Sequence, residues 1–308
     1  MKIIFMGTPE FAVPSLDILV QNGYQIAAVV TAPDSMGGRG GKQLLQSAIK
    51  KYALEKQIPV LQPEKLRSPE FLDALREINA DIQIVVAFRM LPEVVWNMPR
   101  LGTFNLHGSL LPKYRGAAPI NHAIINGDKE TGVTSFKLQH AIDTGDVLIQ
   151  RPIPIADDEN AGSLHDKMKM IGAEVVLETV RMIEKGDYDY QKQNDLQATH
   201  APKIFHETCK INLGDSAEKI FNFIRGLSPY PGAWLLMDDK EMKVLSVKIE
   251  KVNDQNETGF ILTDYKKYLK IKCSDGYINV LQLKPEGKKL MTVSEFLNGC
   301  KVLPEKVD

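Results

Sequence analysis

Lys2-Ile3-Ile4-Phe5-Met6-Gly7-Thr8-Pro9-Glu10, with the residues that follow as far as Thr31, decides the fold. Lys2 to Met6 reads as a short buried strand. A helical pattern then runs from Phe11 to about Asn22. Thr8 fits as its N-cap, Pro9 as its first helical residue, and Glu10 complements the helix dipole. Gly23 ends the helix, and Ile26 to Thr31 is the next strand, which completes a β–helix–β unit of about 30 residues. Further strands are expected near Val60, at Ile82 to Phe88 and at Thr103 to His107, with helical patterns between them. This alternation predicts an α/β fold around a mostly parallel sheet. Gly7 stands alone. No G-x-G-x-x-G follows the first strand and no P-loop occurs, so the pattern does not point to a nucleotide cofactor.

Beyond Thr131 the order changes. Val133 to Leu138 and Val147 to Ile155 read as two extended runs that pair around the turn Asp143-Thr144-Gly145-Asp146, and a long amphipathic helix is expected over Ser163 to Lys185. Residues 190–208 are polar and read as a linker between a first domain, 1–189, and a second, 209–308. In the second, a helix near Ser216 to Arg225 precedes short strands at Lys243 to Val252, Gly259 to Thr263, Tyr268 to Cys273 and Tyr277 to Leu283. Strands at that spacing suggest a small β-barrel or sandwich.

The 308 residues are 44% hydrophobic and 25% charged, which suits a folded chain with a full core and argues against long-range disorder. A net charge of −1 excludes a wholly basic nucleic-acid binder. From Cys209 onward, 16 Lys and Arg face 14 Asp and Glu, so the second domain is slightly positive and the first slightly negative. Cys209, Cys273 and Cys300 include no C-x-x-C pair, so no disulfide framework or cysteine zinc site is expected, and reduced thiols fit a cytoplasmic protein. No apolar run is long enough to span a membrane. The N-terminal apolar stretch is too short for a signal peptide.

The chemistry concentrates in Phe104-Asn105-Leu106-His107-Gly108-Ser109-Leu110-Leu111-Pro112-Lys113-Tyr114-Arg115-Gly116. Asn105 and His107, two apart on a strand, point to one face. They sit near its carboxyl end, where crevices form in open α/β sheets. Gly108 permits close approach of backbone or ligand. Asp143 is a third polar element, although an Asp-Thr-Gly-Asp turn by itself is more often a plain hairpin.

Asn105-x-His107-x-Ser109-Leu110-Leu111-Pro112, then Arg115-Gly116 and Asp143-x-Gly145, resembles the signature of the 10-formyltetrahydrofolate-dependent formyltransferases. Phe5-Met6-Gly7-Thr8-Pro9-Glu10-Phe11-Ala12 and Arg115-Gly116-Ala117-Ala118-Pro119-Ile120 narrow the resemblance to the branch acting on methionyl-tRNA. Gly162-Ser163-Leu164-His165, Ala201-Pro202-Lys203-Ile204 and Ile224-Arg225-Gly226-Leu227 extend it over nearly the whole chain. The resemblance implies a Rossmann-like catalytic domain followed by an OB-like barrel that binds tRNA. It implies 10-formyltetrahydrofolate as co-substrate and initiator methionyl-tRNA as partner; the chemistry needs no metal and no metal-ligand spacing occurs, and a monomer is the default. Asn105 would donate to the oxyanion formed when the methionyl amine attacks the formyl carbon. His107 would manage proton transfer, and Asp143 would orient His107 or act as base; the residues leave that choice open. Ser109, Leu110, Leu111 and Pro112 would line the folate site. Phe88, Arg89, Met90 and Leu91 would form part of its pterin pocket, with Phe88-Arg89 where the family commonly has Tyr-Gly.

The glycine-rich loop Asp34 to Lys42 corresponds to the family's basic loop that enters the tRNA acceptor end, with Arg39 and Lys42 as contacts and order expected only on RNA. Arg115, Lys203 and Arg225 are further candidate tRNA cations, which would act collectively and in a salt-dependent way. The alternative reading keeps the donor and changes the acceptor to glycinamide ribonucleotide or an amino sugar. A folate- or RNA-binding module without turnover is disfavoured by the complete Asn105, His107 and Asp143 set.

Overall fold

A computed structural model describes residues 1–37, 41, 43–252, 254–300 and 302–307. Arg39 and Lys42, and with them the expectation about order in their loop, lie outside the described residues. The elements in the first half are β1 (Lys2–Gly7), α1 (Val13–Gln21), β2 (Gln25–Val30), β3 (Ser35–Gly37), β4 (Gln43–Leu45), α2 (Ala48–Glu55), β5 (Val60–Leu61), α3 (Pro69–Ile78), β6 (Ile82–Val86), α4 (Glu93–Trp96) and β7 (Thr103–His107). There follow β8 (Arg115–Gly116), α5 (Pro119–Ile125), β9 (Glu130–Lys137), β10 (Val147–Pro154), α6 (Ala161–Lys185) and β11 (His200–Ala201). The chain ends with α7 (Ala217–Leu227), β12 (Ala233–Met237), β13 (Lys240–Lys251), β14 (Ile261–Thr263), β15 (Leu269–Cys273), β16 (Gly276–Pro285), β17 (Met291–Thr292) and α8 (Val293–Asn298).

Two compact units emerge. The first comprises residues 1–116, 131–153 and 165–200; the second comprises 117–130, 154–164 and 201–308. A single cut in the sequence does not express this, because two short segments of the first half pack with the C-terminal part.

The first unit is built on a seven-stranded sheet of order β10-β9-β7-β6-β1-β2-β5. From β5 to β7 the pairings are parallel. β9 then joins β7 antiparallel, pairing His107 with Thr134 and Asn105 with Phe136. β1 and β6 are buried throughout their apolar runs, as strands covered on both faces must be. The first helical turn differs from the sequence expectation. Thr8 caps nothing there: Glu10 to Ala12 form a 3₁₀ turn after Pro9, and α1 starts at Val13. Gly7 explains the tight entry, since a Cβ on it would stand 2.8 Å from the Ala12 Cβ and 3.0 Å from the Val86 carbonyl oxygen.

α6 covers the sheet face that carries Leu106 and Ser135. A Cβ on Gly172 would lie 2.7 Å from Leu106 Cδ2, and the Thr179 hydroxyl donates to Ser135 Oγ at 2.7 Å. Asn105 and His107, one residue either side of Leu106, therefore face away from this helix. That is the packing that frees them for chemistry.

The second unit carries an antiparallel sheet of order β12-β13-β16-β15-β14, with β17 beside β16. α7 packs on it with Ile220, Ile224 and Leu227 in the core. Its N-cap is Ser216, whose hydroxyl accepts the Lys219 N–H. Among the described residues, no helix is long and apolar enough to cross a membrane.

Candidate active site

His107 ends β7 and is 7% exposed. Its Nε2 lies 2.8 Å from the Tyr114 carbonyl oxygen. A carbonyl can only accept, so Nε2 carries a hydrogen. In the neutral ring Nδ1 is then bare, and Nδ1 is the nitrogen that faces Asp143, 3.7 Å from Oδ2. That separation suits an ion pair across a short gap rather than a direct hydrogen bond. The bare nitrogen is therefore the one beside the carboxylate.

Asp143 lies far from β7 in sequence and is brought in by the turn between β9 and β10. Its backbone is left-handed, with φ +56°, a conformation that Asp tolerates better than most residues. Oδ2 also accepts the Gly116 N–H at 2.8 Å. Gly145 lets the turn lie against β9: a Cβ there would fall 1.7 Å from the Lys137 carbonyl oxygen. Asn105 is half-buried on the His107 face, and its side chain forms no hydrogen bond among the described residues. An amide with free N–H groups beside an imidazole–carboxylate pair can receive a developing negative charge. His107 and Asp143 thus lie together at the carboxyl end of β7, and Asn105 stands two residues earlier on the same face of the strand.

The turn after β7 is held by its own side chains. Ser109 is buried, and its hydroxyl donates to the Lys113 carbonyl at 2.6 Å. Thr134 of β9 bonds both the Ser109 carbonyl and the Leu111 N–H. Leu111 is buried with Phe136 and Val147, and Leu110 packs on Gly132. Of the four residues expected to line a ligand site, these three spend their side chains on closing the turn; Pro112 is half-buried. Of the second quartet, Leu91 is in the core, Phe88 is packed against it, and Met90 is 74% exposed. Arg89 is exposed, and its guanidinium bonds the carbonyls of Pro63 and Glu64.

Two of the candidate RNA cations are buried. Arg115 is 9% exposed, and its guanidinium is committed to Gln193 Oε1, at 3.1 and 2.8 Å, and to Asp195 at 2.7 Å. Arg225 is 6% exposed, bonds Asn222 and the Glu159 carbonyl, and lies over the Phe221 ring. Burial pulls its pKa below the usual arginine value. Both guanidinium groups are committed to partners within the chain. Lys203 is exposed above the Phe205 ring, and Lys210 stands over Trp234, so cations and aromatic faces coincide on that surface of the second unit.

Sequence reading missed what the polar stretch after Tyr190 contributes. Thr199 accepts the Arg115 N–H with its carbonyl at 2.9 Å and the Tyr114 N–H with its hydroxyl at 2.8 Å. Gln193 Nε2 donates to the carbonyl oxygens of both Asp143 and Gly145 at 2.8 Å. The segment expected as a tether frames the site. Its composition has no periodicity, so no signal in the sequence marks it.

Comparison with known proteins follows the same lines. The family model described as formyl transferase matches residues 1–180, and that described as formyl transferase, C-terminal domain, matches residues 203–301. A methionyl-tRNA formyltransferase of Bacteroides thetaiotaomicron is 51% identical over 98% of this chain and 96% of its own length. One of Flavobacterium johnsoniae is 47% identical over 97% and 96%. Among solved structures, the sugar 3N-formyl transferase WlaRD superposes with a TM-score of 0.68 at 22% identity, covering 94% of this chain and 99% of its own. A methionyl-tRNA formyltransferase from Clostridium thermocellum superposes with a TM-score of 0.56 at 17% identity, covering 81% and 94%.

Proposed function

The chain belongs to the formyl transferase family, and from that premise we propose that it moves the formyl group of 10-formyltetrahydrofolate to the α-amine of methionyl-initiator tRNA. The His107–Asp143 pair at the end of β7, with the Asn105 amide two residues away on the same strand face, carries the reading of the reaction. The amine nitrogen attacks the formyl carbon, and the carbonyl electrons move onto oxygen, where Asn105 donates to them. One such donor is worth roughly 3–4 kcal/mol. The ammonium formed by attack gives its proton to the pair at the bare Nδ1, where the resulting N–H faces Asp143. When the intermediate collapses, the bond to N10 breaks and that proton passes to the leaving nitrogen.

The residues present suit a folate donor. The segment from Ala87 to Met90, exposed except at Phe88, leaves β6 at its carboxyl end beside β7, and the turn at residues 108–112 follows β7 at the same end. The C-terminal β unit does not itself select the acceptor, because a sugar-modifying relative spans nearly the same length. Identity near 50% to methionyl-tRNA formyltransferases over both units favours the tRNA over a small amine. Lys203, Lys210 and their aromatic neighbours suit an RNA strand by charge and stacking.

Incubation with 10-formyltetrahydrofolate and methionyl-tRNA should yield N-formylmethionine after deacylation. A parallel reaction with a nucleotide-linked amino sugar should give nothing. Formylation of the sugar alone would overturn the acceptor.

A further inference from the structure

We propose that Gln193 is a positioning residue for Asp143, an assignment that rests on the formyl-transfer reading of the site. The orientation of its amide follows from its neighbours. Oε1 lies against two guanidinium N–H groups and must be the oxygen; the other end lies against two carbonyl oxygens and must be the NH₂. One amide thus gives both hydrogens to carbonyls that flank Thr144, which sets the attitude of the whole turn.

The bonds close a ring. The Asp143 carboxylate accepts from the Gly116 N–H, Arg115 precedes Gly116, the Arg115 guanidinium holds Gln193, and Gln193 holds the Asp143 carbonyl. Both the backbone and the side chain of Asp143 are tied to the same two-residue strand. Tyr114, one residue earlier, supplies the carbonyl that orients His107. Residues 114–116 therefore place imidazole and carboxylate relative to each other, and Gln193 is the link that carries this register to the turn. A left-handed Asp in a half-buried turn needs such a tie, because nothing in the turn's own sequence fixes the carboxylate to within the fraction of an ångström that proton transfer demands.

The competing account is that Gln193 only anchors its own segment to Arg115. Gln193→Glu separates the two. The carboxylate keeps an acceptor for Arg115, so the anchor survives, but the donors are lost and an oxygen faces two carbonyls. Positioning predicts that Gln193→Glu lowers kcat by about 10- to 100-fold. KM for both substrates should stay within about threefold and the melting temperature should be little changed. Amide exchange at Gly116 and across residues 143–146 should quicken at least tenfold. Wild-type kcat and exchange in Gln193→Glu would overturn the proposal. If that variant unfolds, Gln193→Ala decides: a kcat deficit with faster exchange across residues 143–146 supports positioning, and wild-type kcat with faster exchange confined to residues 191–197 refutes it. If the wild-type protein itself forms no formylmethionine, the functional reading fails separately, while the exchange measurement still judges whether Gln193 holds the Asp143 turn.

Discussion

Gly145→Ala tests directly whether the site depends on where the Asp143 turn lies. The added Cβ would fall 1.7 Å from the Lys137 carbonyl oxygen, 2.9 Å from the Lys137 carbonyl carbon and 2.9 Å from Phe136 Cδ2. Phe136 is fully buried and the nearest atoms are β9 backbone, so neither can give way cheaply. The turn must retreat by about 1.3 Å to reach even the tightest contact that real side chains make. Gly145 is two residues from Asp143, and a shift of that size carries the carboxylate from 3.7 Å to about 5 Å from Nδ1. It also strains the two bonds from Gln193. The packing cost is about 1–3 kcal/mol, modest for a domain of this size, so the variant should fold. Turnover should drop about 100-fold, as misplacement of a catalytic group by an ångström commonly does. The assay is single-turnover formylation of methionyl-tRNA with saturating donor, which excludes binding and release from the rate. Gly299→Ala, whose nearest neighbour would be an ordinary 3.6 Å away, serves as the control and should be silent. If Gly145→Ala retains activity within threefold of wild type, the argument that a rigid Asp143 turn sets the rate is wrong.

Asn105→Ala should lower the single-turnover rate by 10²- to 10³-fold with little change in KM for the donor, as loss of one oxyanion donor does; a loss confined to KM would make Asn105 a binding residue instead. Replacing Lys203 and Lys210 together by Ala should reduce the slope of log affinity against log salt for tRNA by between one and two, read by filter binding at several salt concentrations. Asp254 is held down to about 2 first by its bond to Lys272 and then by that to Tyr277. A depressed carboxylate stabilises the fold above its unfolded pKa near 3.8 and loses that contribution as pH falls through about 2. The melting-temperature advantage of the wild type over Asp254→Asn should therefore persist above pH 4 and shrink between about pH 4 and 2; an advantage that does not vary with pH would detach it from this carboxylate.

Much of the catalytic face was legible because it is local. A strand alternates its side chains, so Asn105 and His107 had to share a face, and the apolar runs of β1, β2 and β6 could only be buried strands. The β–helix–β rhythm of the first half and the short strands of the second declared themselves for the same reason. The start of α1 was misread because Thr8-Pro9 is a good local cap, whereas the close approach of Ala12 to Gly7 imposes a tighter turn first. Charge misled in a similar way. Arg115 and Arg225 look like free cations when counted with the others, yet each has partners in the chain that no nearby spacing reveals: Gln193 and Asp195 lie about eighty residues beyond Arg115, and Ala156 and Glu159 nearly seventy before Arg225.

What the sequence determined by itself was the set of groups and the order of the strands that carry them, since helix and strand periodicity, turn chemistry and functional-group chemistry all act over a few residues. The tertiary structure alone decided the distance from His107 to Asp143, the nitrogen of the imidazole that faces the carboxylate, and the contacts of residues 191–199. Each of these is set by a hydrogen bond or a close packing contact between segments remote in the chain, and such contacts depend on where the fold brings the backbone rather than on which residues stand beside each other.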